Sequence, residues 1–307
     1  MTTDCQPVET VDGAAPGAGR ICVRVADITM ALVSSDPELK LRVEGAMEKF
    51  VVESGAADVT LRTKWSRLDD AALGEKIFDS GSVWQLSRDG GHYLFRFAAP
   101  FSDWLPYKIA RFNADFTSGE ILCERRYFDP GQPVNPLEYP LDELLLTNHL
   151  AAGKGVEVHA CALADGEGNG YLFAGQSGAG KSTTARLWAG QPGVRVLSDE
   201  RVVIRKDGGR FWMHGTPWHG EAGLVRTDRA RLTKVFLLRH SRENRLAPIA
   251  RAQAAARLFA CSFPPFHNPA GLDFILGFID DLLKAVPTYE LGFLPDVSAV
   301  ELVRQNS

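Results

Sequence analysis

The sequence predicts an α/β domain built on a phosphate-binding loop in its C-terminal half, preceded by a smaller, mainly antiparallel α+β domain. Three observations predict this. The stretch FAGQSGAGKSTTARLW, residues 173 to 188, reads as a strand end, a glycine-rich turn and a helix opening on a lysine and hydroxyls. The first half instead carries successive β-patterned runs with a hairpin signal between two of them. Between the halves, GQPVNPLEYP (131 to 140) holds three prolines, resists regular structure and marks the seam.

In chain order, residues 1 to 20 are rich in Gly, Ala, Thr and Pro without periodicity and are expected to form a disordered leader. Strand text begins at Ile21 with ICVRVADITMALVS. Asp36-Pro37 then reads as the cap and first residue of a helix through Phe50, with Leu39, Val43, Met47 and Phe50 on one face. ADVTLRTKW, SVWQLSRDGGHYLFRFAAP, PYKIARFNADF and EILCERRYF follow as strands. In the second of these, Asp89-Gly90-Gly91 supplies the positive φ that a tight hairpin needs. The aromatic residues Trp84, Tyr93, Phe95, Phe97, Trp104 and Tyr107 read as core. An N-terminal α+β domain is therefore placed at 21 to 136, with a role in substrate or partner selection, and a catalytic domain at 137 to 307.

The second domain opens with a helix over LDELLLTNHLAAG, with Leu144, Leu145 and Leu150 facing a core and Gly153 as its stop. VEVHACALA and YLFAG read as strands, followed by the phosphate loop and its helix. VRVLSDERVVIRK, RFWMHGTPW and RLTKVFLLRH are further strand text, and QAAARLFACSF and LDFILGFIDDLLKAV are helical.

Composition bounds the function classes. The 307 residues are 45% hydrophobic and 23% charged, ordinary for a globular chain. A formal net charge of −4 gives no basic footprint for nucleic acid or an anionic membrane. Cys5, Cys22, Cys123, Cys161 and Cys261 form no C-x-x-C pair, which argues for reduced thiols over disulfides or zinc. The N-terminus lacks the pattern of a signal peptide, and no apolar run approaches the roughly 18 residues of a membrane span, so a cytoplasmic protein is expected.

Gly175-Gln176-Ser177-Gly178-Ala179-Gly180-Lys181-Ser182 satisfies G-x-x-x-x-G-K-[ST], and Thr183 extends its hydroxyl run. Glycines at this spacing let successive N–H groups turn toward phosphate oxygens. Lys181 adds a mobile cation for the β and γ phosphates, and Ser182 offers a hydroxyl to Mg²⁺. The helix dipole points at the same anion. ATP with Mg²⁺ is the expected ligand.

Asp199 and Glu200 end the next apolar strand, where a carboxylate can hold Mg²⁺ or accept a proton in phosphoryl transfer. Only one short helix and the turn Gln191-Pro192-Gly193 separate them from Lys181. The chain lacks the L-S-G-G-Q of transporter ATPases and the N-K-x-D of guanine-specific GTPases.

A phosphate loop, a short helix and then SDERVVI, with GVEVHACALADGEGNGYLFAGQSGAGKS upstream, resembles the catalytic domain of HPr kinase/phosphorylase. These are bacterial serine kinases related in fold to phosphoenolpyruvate carboxykinase. The likeness covers roughly residues 141 to 221. It implies a mixed sheet, His159 as the family histidine, Asp199 as the general base and Lys181 on the β and γ phosphates, with Ser182 and Glu200 on the metal. Glu200 stands where the family has a second aspartate. In HGTPWHGEAG (214 to 223), Glu221 is a third candidate metal ligand, and His214 and His219 are candidate phosphate contacts. The longer Glu-x-Arg-Gly signature of the phosphorolysis reaction is absent, so neither the reverse reaction nor a hexamer is expected.

The expectation is an ATP- and Mg²⁺-dependent kinase acting on a hydroxyl, foremost serine of a protein or peptide, with no nucleic acid or membrane partner and with a homo-oligomer left open. The alternatives are a non-catalytic ATP-binding regulatory module, a kinase of a small metabolite such as free serine, and a carboxykinase-like enzyme whose site would gather further arginines.

Overall fold

The computed structural model describes residues 19–53, 55–68 and 74–306. The leader expected at 1 to 20 and Cys5 lie, apart from Gly19 and Arg20, outside the described residues.

Among the described residues, two large sheets and five α-helices make a mixed α/β architecture. The first sheet contains β1 (Arg20–Val25), β2 (Ile28–Ser34), β3 (Val51–Val52), β4 (Val59–Trp65), β5 (Glu75–Asp79), β6 (Trp84–Asp89), β7 (His92–Ala98), β8 (Pro106–Phe112) and β9 (Ser118–Cys123). Their order is β3-β1-β2-β4-β9-β8-β7-β6-β5. Only β2 with β4 and β4 with β9 run parallel; the other neighbours are antiparallel. The β6–β7 hairpin turns at Gly90-Gly91, both left-handed at φ 52° and 83°, as the sequence predicts. The text from Ile21 to Ser34 proves to be two strands, folded back at Ala26-Asp27 with φ 53° and 57°.

The helix expected from Asp36 to Phe50 does not form. Leu41 pairs with Val134 as a β-bridge, and Val134 N–H donates to the Lys40 carbonyl at 2.8 Å, so the segment lies extended against the proline-rich stretch. Gly45, at φ 62°, blocks helical continuation, and only a 3₁₀ turn over Gly45–Phe50 remains. The periodicity still places Leu39, Met47 and Phe50 in the core. Trp104, expected in the core, is 55% exposed on a turn beside Asp103, where both residues have positive φ.

Residues 131 to 140 form no helix or named strand, and Val134 and Leu137 are buried. The following α1 (Leu141–Ala151) stops before Gly153, whose φ of 93° lets the Lys154 and Gly155 amides close on the Leu150 carbonyl. Leu141, Leu145, Leu146 and Leu150 pack into the core of the first sheet, while Leu144 lies at its margin.

The second sheet comprises β10 (Val156–Ala164), β11 (Gly170–Ala174), β12 (Arg195–Ser198), β13 (Arg201–Asp207), β14 (Arg210–His214), β15 (Arg229–His240), β16 (Arg245–Pro248) and β17 (Thr288–Phe293). It follows the order β11-β10-β13-β14-β15-β17-β16, with β12 also on β10 and β11 also parallel to β15. Helices α2 (Lys181–Ala189), α3 (Arg251–Phe259), α4 (Pro269–Ala285) and α5 (Val297–Gln305) cover it. The period-two pattern assigns the faces. Tyr171, Phe173, Phe236 and Leu238 share a core with α2 and α5, whereas Leu172, Ala174, Val235 and Leu237 share one with α3 and α4. The terminal β16, β17 and α5 had no clear sequence signal. The four described cysteines are free and buried.

Candidate functional site

Strand β10 organises the site. Over Ala160–Ala164 it pairs with β11 on one side, and over Ala162–Ala164 with β12 on the other, both antiparallel. β11 and β12 therefore run parallel and end within two residues of each other along β10, opposite Ala160 and Ala162 and next to His159. Loop 175–180 and the turn Asp199-Glu200 thus emerge side by side, beyond the carboxyl ends of two strands, where ligands of α/β sheets commonly bind.

The loop's shape follows from its glycines. Gly178 and Gly180 have φ of 79° and 99°, and a Cβ on Gly180 would stand 2.6 Å from the Phe293 ring. Gly175 is equally closed, since a Cβ there would meet Ala179 at 2.6 Å. Gln176, Ser177 and Gly178 are exposed, Ser182 and Thr183 half-buried. Lys181 is buried and donates to the carbonyls of Gly175 and Gln176, each at 3.0 Å. Burial lowers its pKa, with nearby Glu200 opposing. Thr184 Oγ1 donates to Gly180 O at 2.9 Å and ties the first helical turn to the loop.

Asp199 is fully buried. Its Oδ1 accepts from Gly220 N–H at 3.0 Å and its Oδ2 from Ala222 N–H at 2.9 Å, so it clamps the 214–223 segment beside the loop. Gly220 is required for that approach: a Cβ there would lie 2.8 Å from Glu200 Oε2 and 2.9 Å from Asp199 Oδ2. Glu200, about a third exposed, accepts from Arg201 Nη1 at 3.0 Å and lies 4.0 Å from His159 Nε2. Burial, with Lys181 and Arg201 adding repulsion, lowers the His159 imidazole to about 4, so it is neutral at physiological pH.

The structure thus gathers the loop, Lys181, His159, Asp199 and Glu200. It does not bring Glu221 to them, because that side chain is 86% exposed and faces Arg186 at 3.7 Å. His219 is exposed, and His214 is buried 3.8 Å from Asp27, with its imidazole lowered to about 4 by burial. Among the described residues, no group of three or more His, Cys, Asp or Glu side chains is arranged to hold a metal. Mg²⁺ in its usual mode takes one or two carboxylates and a hydroxyl completed by substrate phosphates, a share that Ser182 and Glu200 would supply.

Sequence reasoning missed a buried charge network behind this site. Arg201 Nε reaches Glu143 Oε1 at 2.7 Å and Glu157 Oε1 at 3.6 Å, and its guanidinium lies 4.2 Å from the Phe263 ring centroid. Glu157 is fully buried, and its pKa is raised well above normal by burial and by Glu143. Asp142 accepts from the Trp218 indole at 2.9 Å and is raised to about 7 by burial. One signal was available: in VEVHACALA, Glu157, His159 and Cys161 share a face of one strand, and a glutamate in such apolar text calls for a buried partner. Glu143 and Arg201 are distant in sequence and gave none.

A cleft of about 1190 Å³ lies along Trp65 and residues 124–130 and shares no residue with the loop 175–180. The loop, with its convergent polar groups, is the better candidate site of the two. No helix among the described residues is long and apolar enough to cross a membrane.

The fold is that of a mixed α/β protein with large mixed sheets and a glycine-rich loop between β11 and α2. No protein-family model and no curated protein matches the chain. Among solved structures it is similar to the Hpr(Ser) kinase/phosphatase from Coxiella burnetii, at 12% identity and a TM-score of 0.28, over 49% of this chain and 91% of that one.

Proposed function

We propose that the chain is an ATP-dependent phosphotransferase that passes the γ-phosphate to a hydroxyl, with serine of a protein or peptide as the acceptor. One observation carries this: the phosphate loop and Asp199-Glu200 leave two parallel strands that flank β10, within two residues of each other along it and next to neutral His159. A phosphate loop alone serves many classes. A carboxylate turn beside it supplies what phosphoryl transfer needs, namely positioning of the acceptor and of the developing charge.

In this reading the N–H groups of residues 175–183 and the α2 dipole hold the β and γ phosphates, and Lys181 exchanges its two loop carbonyls for phosphate oxygens. The acceptor oxygen attacks the γ-phosphorus, the bond to the ADP oxygen breaks, and Asp199 takes the acceptor's proton. Mg²⁺, when bound at Ser182 and Glu200, supplies charge neutralisation. Neutral His159 donates or accepts one hydrogen bond without adding charge.

A second reading, a nucleotide-binding regulatory module, is favoured by one observation: both Asp199 oxygens already accept backbone N–H groups and the residue has no exposed surface. Asp199→Asn separates the two. The kinase reading expects transfer from labelled ATP to a serine-peptide library to fall at least about 100-fold, in line with loss of a general base, with ATP affinity little changed. Undiminished transfer in the variant removes Asp199 as base. A wild-type protein that binds ATP and labels no acceptor establishes the module.

A further inference from the structure

Helix α1 opens on two carboxylates that solvent barely reaches: Asp142 is 6% exposed and Glu143 9%. Acids in a first helical turn are common, because the helix dipole and its free N–H groups favour them, but that benefit does not require burial. Burying a carboxylate is costly unless partners meet it, and a buried ion pair is weak support for stability. The partners therefore carry the information, and both acids find theirs on the segments that flank Asp199-Glu200.

Successive residues on a helix diverge by about 100°, so the two side chains reach different parts of the site. Glu143 Oε1 accepts from Arg201 Nε at 2.7 Å, and Arg201 Nη1 donates to Glu200 Oε1 at 3.0 Å. Asp142 Oδ2 accepts from the Trp218 indole at 2.9 Å, while its Oδ1 accepts from the Glu143 N–H at 2.7 Å. Two residues beyond Trp218 begins the backbone whose Gly220 and Ala222 amides hold Asp199. Thr216 Oγ1 donates to the Arg201 carbonyl at 2.7 Å and joins the two arms. The helix itself is fixed from behind. Leu141, Leu145, Leu146 and Leu150 lie in the core of the first sheet, and Ala151 in the core that the second sheet shares with α3 and α4.

We propose that Asp142 and Glu143 are positioning residues for phosphoryl transfer, Glu143 acting through Arg201 on Glu200, and Asp142 acting through Trp218 on the backbone that clamps Asp199. Phosphoryl transfer depends on placement, and a displacement of about 1 Å can cost about 100-fold in rate. The role in transfer rests on the phosphotransferase reading above; the mechanical link from α1 to the Asp199-Glu200 turn does not.

The test uses the full chain and three variants. Trp218→Phe keeps a ring and removes the indole donor, Glu143→Met removes the acceptor for Arg201, and Glu143→Gln supplies a neutral one. Without nucleotide, the Gly220 and Ala222 amides are expected to exchange with deuterium at least about fivefold faster in Trp218→Phe than in the parent. The Arg201 Nε–H, followed by NMR, is expected to be protected in the parent and in Glu143→Gln and to lose protection in Glu143→Met. The Leu146 and Leu150 amides, inside α1, should stay protected throughout, which shows that the fold is kept. Unchanged exchange at 220 and 222, or a protected Nε–H in Glu143→Met, overturns the link. In transfer from ATP to serine peptides, Trp218→Phe and Glu143→Met are expected to lower kcat at least about tenfold with KM for ATP within about twofold. Glu143→Gln is expected to exceed Glu143→Met at least about threefold in kcat. A loss that falls on KM as much as on kcat, or no recovery in Glu143→Gln, marks a merely structural role and overturns the proposal. If the wild type labels no acceptor, the phosphotransferase reading and the role in transfer fail together, and the exchange measurements alone decide the link.

Discussion

Replacing Arg201 with methionine probes the network that joins the phosphate site to the first sheet. The side chains of Arg201, Glu143 and Glu157 are 15%, 12% and 0% exposed, so solvent screens them weakly. Removing one partner of a buried ion pair costs about 3–5 kcal/mol, because the remaining charge stays buried without compensation. Glu200 is 34% exposed and regains water, so its pair with Arg201 adds about 1 kcal/mol at most. The expected loss at pH 8 is therefore about 3–5 kcal/mol in urea-unfolding free energy. The sign of its pH dependence follows from Glu157, whose folded pKa is raised. Its favourable contribution is present below the unfolded value and disappears as pH rises through the folded value. Without Arg201, which opposes the rise, Glu157 holds its proton more strongly, so the deficit shrinks as pH falls from 8 to 5. Adding Glu157→Gln to the variant should restore part of the loss at pH 8. A deficit under about 1 kcal/mol at pH 8, or one of the same size at both pH values, refutes the argument.

Other outcomes follow from the site's geometry. Gly180→Ala should lower stability by about 1–3 kcal/mol and weaken ATP binding, because a Cβ there meets the Phe293 ring and the backbone is left-handed; thermal unfolding and calorimetry check both. Asp199→Asn keeps one acceptor of two, so the amides of Gly220 and Ala222 should exchange with deuterium at least about tenfold faster than in the parent. The His159 resonances should not titrate between pH 5.5 and 8.5 in NMR, roughly the range where an ordinary histidine does, because its imidazole is held to about 4. A midpoint near 6.5 would contradict the burial argument.

Local chemistry made parts of this molecule legible from the sequence. The loop 175–180, the strand-to-helix transition around it and the Gly90-Gly91 hairpin are dictated by backbone demands that only certain residues meet. Strands β11 and β15 were readable as short apolar runs, because both of their faces are buried, one in each core. What escaped was set by contacts distant in sequence. Residues 36–50 have helical periodicity, yet pairing of Leu41 with Val134 and the left-handed Gly45 override it. The guanidinium of Arg201 pairs with Glu143 and Glu157, which only the fold brings near. Glu221 lies close to Asp199 in the chain's path but faces solvent and Arg186, since the backbone of Gly220 and Ala222, not a side chain, meets the buried acid.

Binding of a non-hydrolysable ATP analogue with Mg²⁺, measured by calorimetry on the wild type and on Lys181→Ala, tests the central claim most directly, that residues 175–183 hold nucleotide phosphates. The account predicts a dissociation constant on the order of micromolar for the wild type, and a loss of at least about 100-fold, or about 2.7 kcal/mol, in the variant. Failure of the folded wild-type protein to bind, or equal affinity in the variant, contradicts it.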